Sequence, residues 1–371
     1  MKFITHCSNI ILYSKIHTWY FVLFAAIFSI ISGCGGSSGS SNNDTEPEPI
    51  VTIEGQLHAA LDSVNTGTDF TLIVESNNGT QFIHNRGAST TTKSYRSAST
   101  SKMVTASLIL WLVEQGIIFL DDNPQDYLYF WPTIGNHATI ELRHLLNFTS
   151  GLSNEPACLN FANADFSDCV KTILDNNSSI PAPGEEFYYA STHLQVAGLM
   201  AIQASGFSDW EQVFNYFKSE TQLFTNAYFD LPSVSNPRLA GGMHWQADEY
   251  LEFLGAIFHQ QILSPASIEA MTSDQIGNAS VIYSPFAEGG LGGDWHYGFG
   301  QWIECPQVPF SCSITTRVSS IGAYGAYPFI DFEQQYFGII AREGAFGTGS
   351  EGYQLWAEVE TELAEWATNN L

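Results

Sequence analysis

Ser99 and Lys102 stand three residues apart at the head of an apolar run. Residues at that spacing share a helix face, so the lysine amine reaches the serine hydroxyl if a helix begins near Ser99. A serine hydroxyl is a weak nucleophile until a base takes its proton. Lysine serves as that base only when burial or nearby positive charge lowers its pKa. A helix N-terminus adds backbone N–H groups and the positive end of a dipole, which suit an oxyanion forming at an attacked carbonyl. The pattern fits acyl transfer through a serine ester. The same two residues also read as a helix cap with a solvated lysine, although a first-turn lysine opposes the dipole and the chain has only 12 lysines and arginines.

Other reactive residue types point elsewhere. Four of the six cysteines fall into two close pairs, Cys158 with Cys169 and Cys305 with Cys312, which suit local disulfides in an oxidising compartment. The alternative, a metal site, wants tight His and Cys clusters; none is present, so no metal or cofactor is expected. His144 and His193 read as packed or capping side chains. Gly289 to Gly293 reads as a loop, since no strand-to-helix context makes it a phosphate cradle.

The elements that must carry these residues follow from periodicity. Ile53 to Val64 has helical spacing. Phe70 to Glu75 and Gln81 to His84 flank Asn77-Asn78-Gly79, a hairpin signal. The run beginning at Ser97-Ala98-Ser99 predicts a helix that stops at Gly116. From Asp121 to about Ile276 the pattern is helical or irregular. Strand-like runs return at Tyr297 to Ile303, Tyr324 to Phe332 and Tyr336 to Arg342, and Glu351 to Ala367 reads as a helix. Strands at both ends and helices between them predict an α+β fold: one sheet built from both termini, flanked by helices, with a helical insertion over about 121–276.

Composition agrees with a folded domain: 44% hydrophobic and 13% charged residues. The net charge of -26 repels phosphate backbones, which argues against nucleic acid as a partner, and keeps the chain soluble.

Residues 1–33 read as an export signal, with Lys2 and Lys15 ahead of an apolar core from Trp19 to Ile31 that is short for a membrane span. The end of that core, Ile31-Ser32-Gly33-Cys34, resembles a bacterial lipobox, which implies lipidation at Cys34 and a membrane anchor; a plain signal peptide is the alternative. Residues 34–50 form a Gly-, Ser- and Asn-rich tether, and Gly35 after the cysteine implies sorting to the outer membrane. The hydrolase domain is then expected over 51–371.

Several segments together resemble the serine beta-lactamase and penicillin-binding-protein superfamily, in its class-C-like branch of related hydrolases and esterases. Ser99-Thr100-Ser101-Lys102-Met103 resembles its nucleophile motif. Gly116 to Asp122, Ile140 to Leu152 and Leu239 to Met243 are similar to further family stretches, in family order. Tyr189-Ala190-Ser191 resembles the Tyr-x-Asn motif, with Ser191 in place of the asparagine. Ser320-Ile321-Gly322-Ala323 matches the third motif, normally Lys-Thr-Gly or His-x-Gly, without its cation. The resemblance implies a beta-lactamase-like sandwich in which Lys102 takes the proton of Ser99, Tyr189 shares that proton and passes it to the leaving group, and the N–H groups of Ser99 and Ala323 hold the oxyanion. Ser191, Ser320 and Gly322 would line the substrate position. Because Ser320 carries no charge, esters or amides without an essential carboxylate are favoured. A D-alanyl-D-alanine carboxypeptidase or beta-lactamase acting on peptidoglycan-derived or related substrates is the alternative, if Arg317 supplies the cation. A non-catalytic binding lipoprotein is the reading from another class.

Overall fold

The computed structural model describes residues 52–286, 291–312 and 317–371. The export segment, Cys34, the tether and the first two glycines of the Gly289–Gly293 run lie outside them.

Helix α1 (Ile53–Ser63) is capped by the Thr52 hydroxyl on the Gly55 N–H. The hairpin β1 (Phe70–Ser76) and β2 (Gln81–Arg86) turns at Gly79, whose positive φ suits glycine. A short β3 (Tyr95–Arg96) and a single 3-10 turn at Ala98–Thr100 lead into α2 (Ser101–Glu114), which ends before the left-handed Gly116 as its sequence predicts. Helix α2 is buried from Ser101 through Leu112. A helix apolar on every side belongs inside a fold.

The middle of the chain is mostly helical. It holds α3 (Leu142–Leu146), α4 (Phe166–Asn176), β4 (Glu186–Tyr188), α5 (Thr192–Ser205), α6 (Trp210–Thr221), β5 (Tyr228–Phe229), β6 (Met243–Trp245), α7 (Ala247–Phe258), α8 (Pro265–Thr272) and β7 (Ser280–Tyr283). Helix α5, buried from Thr192 to Ile202, packs against α2, α3, α4 and α6. Strands of two to four residues carry no readable period, so β3–β7 were not anticipated; they pair as a three-stranded sheet, β3-β6-β5, and a parallel pair, β4-β7.

The late strands are β8 (His296–Tyr297), β9 (Trp302–Glu304), β10 (Arg317–Ser319), β11 (Tyr327–Asp331) and β12 (Tyr336–Arg342), followed by α9 (Ser350–Ala357) and α10 (Glu360–Asn369). They join the first hairpin in one antiparallel sheet ordered β2-β1-β12-β11-β10-β9-β8. Phe70 pairs with Arg342 and Ser76 with Tyr336, so the sheet does draw on both ends of the domain. Helices α1 and α10 pack together, α1 against β2, while α7 lies against β1, β11 and β12. Helix α7 falls inside the 121–276 stretch yet packs on the sheet, and residues 50–371 form one compact unit. Two predicted elements are broken. Tyr297 to Ile303 is a tight hairpin, since the Gly298 N–H bonds to the Gln301 carbonyl and Gly300 is left-handed. Glu351 to Ala367 is two helices, interrupted where Val359 leaves helical geometry to enter the core.

Candidate active site

The turn carrying Ser99 is braced from several directions. Ala98 holds a left-handed φ of 46°, a conformation that costs a non-glycine residue about 1–2 kcal/mol. The Ser97 hydroxyl bonds to Thr100 and Ser101, and the Ser97 N–H to the Met243 carbonyl at 2.9 Å. Trp245 donates to the Thr100 hydroxyl and Tyr250 to the Thr100 carbonyl, each at 2.8 Å. The Leu239 to Met243 segment singled out in the sequence is therefore a scaffold for the nucleophile turn.

Lys102 is buried, with its Nζ 3.0 Å from Ser99 Oγ and 2.9 Å from the Ala240 carbonyl. Burial pulls its pKa down to about 7; Glu155 opposes that shift and Arg238 adds to it. Near neutral pH the amine is thus available without its proton. Tyr189 behaves in the opposite sense. Burial raises its pKa far above the ordinary phenol value, against a hydrogen bond with Ser99, so it stays a protonated donor. Two neighbouring groups with pKa values pushed apart are what acid–base assignment requires. The contact between them differs from the expected one: Lys102 Nζ lies over the Tyr189 ring, 4.6 Å from its centroid. Tyr189 is also stacked on Trp302 at 4.9 Å.

His193 holds the Tyr189 segment rather than entering the chemistry. Its Nε2 is 2.9 Å from the Tyr188 carbonyl, so it must donate there, and its Nδ1 then accepts from Ser150 at 2.8 Å. Burial lowers its pKa to about 4, and the ring stacks on Phe148. His144 accepts the Glu141 N–H in a helix-capping contact. Both match the packed or capping reading.

The third-motif segment splits. Gly322 and Ala323 line a pocket of about 630 Å³ that also contains Ser99, Lys102, Tyr189 and Ser191. A Cβ at Gly322 would come within 2.7 Å of the Ser97 carbonyl, so only glycine permits this approach. Among the described residues the Ala323 N–H has no hydrogen-bond partner, as an oxyanion donor should. Ser320 sits behind the pocket wall instead, buried, its hydroxyl donating to the Ser99 carbonyl at 2.9 Å; its position corrects the expectation that it meets substrate. Arg317 does not line the pocket either. It is buried among Glu304, Asp331 and Glu360 and lies 3.6 Å from the Trp356 ring centroid.

Two pocket residues went unnoticed in the sequence, Glu155 and Arg238. The Glu155 carboxylate accepts the N–H of Ser191. Partial burial raises its pKa, but the Ser191 bonds, Arg238 and Lys102 outweigh that and hold it below the usual range. Neither residue belongs to a motif; both come from irregular loops that only folding brings to the site. The paired cysteines do form disulfides, Cys158–Cys169 and Cys305–Cys312, and the first lies three residues beyond Glu155.

Comparison with known proteins identifies the fold and the family. The family model described as Beta-lactamase matches residues 72–359. A structure assigned as a beta-lactamase from Bacteroides dorei DSM 17855 is 23% identical with a TM-score of 0.69, covering 83% of this chain and 97% of that one. EstCE1, a hydrolase with promiscuous acyltransferase activity, is 18% identical with a TM-score of 0.64, over 85% and 97% of the two chains. The penicillin binding protein from Bacillus halodurans is 16% identical with a TM-score of 0.63, over 82% and 98%. No curated protein matches.

Proposed function

Because the chain belongs to the Beta-lactamase family, we propose that it hydrolyses an ester or amide through an acyl-enzyme on Ser99. The observation that carries this reading is the 3.0 Å contact between Ser99 Oγ and a buried Lys102 whose pKa is about 7. Lys102 accepts the Ser99 proton as the hydroxyl attacks. The N–H groups of Ser99 and Ala323 receive the oxyanion. The Tyr189 phenol, which lines the pocket with Ser99, passes a proton to the leaving group. A water activated by the same groups releases the acyl-enzyme, regenerating the serine.

We also propose that the protein is exported and lipid-anchored at Cys34, on the periplasmic side of the outer membrane or at the cell surface. Two disulfides suit an oxidising compartment. Metabolic labelling with a fatty-acid probe, lost in Cys34→Ala, tests the anchor; an unlabelled wild type removes it.

The catalytic reading is tested by treating the purified domain with a fluorophosphonate and a fluorescent penicillin, read by intact mass. One adduct, absent from Ser99→Ala, is expected. No adduct from either reagent on a folded protein favours a binding lipoprotein with an inactive pocket.

A further inference from the structure

The family resemblance places a substrate-binding cation on the third-motif strand, where this chain has Ser320, and that side chain is turned onto the Ser99 carbonyl. Arg317, the nearest candidate in sequence, is consumed by three carboxylates. The pocket nevertheless contains an arginine. Arg238 lines it beside Ala240 and Gly241, with its Cδ 3.5 Å from where a Gly241 Cβ would stand.

Among the described residues Arg238 differs from the other arginines in having no paired acceptor at all; Arg342 also leaves Nε and Nη1 unpaired, but its Nη2 meets Glu351. Arg86 bonds to the Val64 and Thr66 carbonyls, Arg96 pairs with Glu343, Arg143 with Glu141, Arg317 with Glu304 and Arg342 with Glu351. Among the described residues no acceptor is paired with the Arg238 guanidinium, and its Nε is buried without a hydrogen bond. A buried guanidinium donor left unpaired is costly, and such a cost is tolerated where a ligand supplies the acceptor. Glu155 lines the same pocket and feels the Arg238 charge, but among the described residues it forms no ion pair with it, and its carboxylate is engaged by the Ser191 N–H.

We propose that Arg238 is the anion anchor of this pocket and that the substrate is an ester or amide carrying a carboxylate. One guanidinium close to Glu155 matches a single negative charge; a dianionic phosphate would meet the Glu155 field without a second fixed cation. The planar guanidinium fork is suited to a carboxylate. The rest of the substrate is apolar, since Tyr283, Phe286, Leu291 and Phe346 form much of the remaining wall. The anchor enters from the loop before β6, not from the strand side used in the family motif, so the charge of the substrate lies toward Ala240. This inference rests on Ser99 acting as an acylated nucleophile, and it replaces the expectation that the substrate needs no carboxylate.

The test compares charged and neutral esters on the wild type, Arg238→Gln and Arg238→Lys, with Ser99→Ala as blank. One pair places the charge on the acyl side: p-nitrophenyl hydrogen glutarate against p-nitrophenyl valerate. The other places it on the leaving group: 4-acetoxybenzoate against its methyl ester. In at least one pair, the ratio of kcat/KM for the anionic over the neutral ester should fall by about tenfold or more in Arg238→Gln, the size of a lost charge-assisted hydrogen bond, with part of it kept in Arg238→Lys. The wild-type ratio should also fall with added salt. A ratio unchanged by Arg238→Gln in both pairs overturns the proposal while Ser99-dependent turnover of the neutral esters leaves the hydrolase reading standing. No Ser99-dependent turnover of any ester removes both.

Discussion

The hydroxyl of Ser320 donates to the backbone carbonyl of Ser99 at 2.9 Å across 221 residues of sequence. The third-motif segment is thereby tied to the main chain of the proposed nucleophile, and its serine lies outside the pocket lining. Ser320→Ala should lower kcat about tenfold with little change in KM, as expected when an oriented group loses a support. Ser320→Lys, which restores the family residue type, should not rescue it, since the buried site offers that ammonium no carboxylate. Steady-state kinetics on a neutral ester check both.

With Lys102 as the proposed base, its titration should set the acid limb of the pH profile. Its amine must be neutral to accept the serine proton, and burial brings its pKa to about 7. The kcat/KM for a neutral ester should therefore rise with pH and level off above pH 7 to 8. Lys102→Ala should lower kcat by about 10²–10⁴-fold, the usual worth of a general base. Because the folded pKa lies below the unfolded value, the unfolded chain binds more protons between about pH 7 and 10.5, and wild-type stability rises with pH across that window. Lys102→Met should flatten that dependence and raise the melting temperature at pH 7, as thermal scans would show.

Gly322→Ala places a Cβ 2.7 Å from the Ser97 carbonyl, a backbone atom that cannot swing aside. Either the segment after β10 retreats or the Ser99 turn does. The expected cost is about 1–3 kcal/mol in urea unfolding, with Ser99 labelling slowed at least tenfold because the Ala323 N–H moves with it.

His193 makes the fold acid-sensitive. Its folded pKa of about 4 lies below its ordinary value of 6.5. The unfolded state therefore takes up a proton first, and stability falls as pH drops from about 6.5 to 4, by about 3 kcal/mol at the lower end. His193→Gln should remove much of that slope in denaturant titrations at pH 7 and pH 4.5. An unchanged slope would assign the acid sensitivity to the carboxylates.

The two disulfides close short loops, 11 and 7 residues apart, and the first holds the chain just beyond Glu155. Reduction should cost about 2–3 kcal/mol per bridge. The paired variant Cys158→Ser with Cys169→Ser should in addition weaken catalysis, through a looser Glu155–Ser191 contact, whereas Cys305→Ser with Cys312→Ser should change stability alone.

The amino-acid order by itself determined the local facts. Ser99 and Lys102 meet because residues three apart share a helix face, and α2 is central because its apolar residues, from Met103 to Leu112, outnumber the few small polar ones and leave no charged face for water. The hairpin at Gly79, the stop at Gly116, the long strand Tyr336–Arg342 and the two cysteine pairs are equally local, each set by a turn residue, a period or a short loop. Tertiary structure decided what lies between distant segments. Glu155 and Arg238 sit on loops without periodicity and join the pocket lining only when the middle of the chain packs on α2. The family resemblance offered Ser320 as a substrate contact, with Arg317 as a substitute cation, but in the fold Ser320, just past the end of β10, turns onto the Ser99 carbonyl and Arg317 into a cage of carboxylates. The value of the Lys102 pKa is likewise a property of burial, and burial is decided by the whole fold.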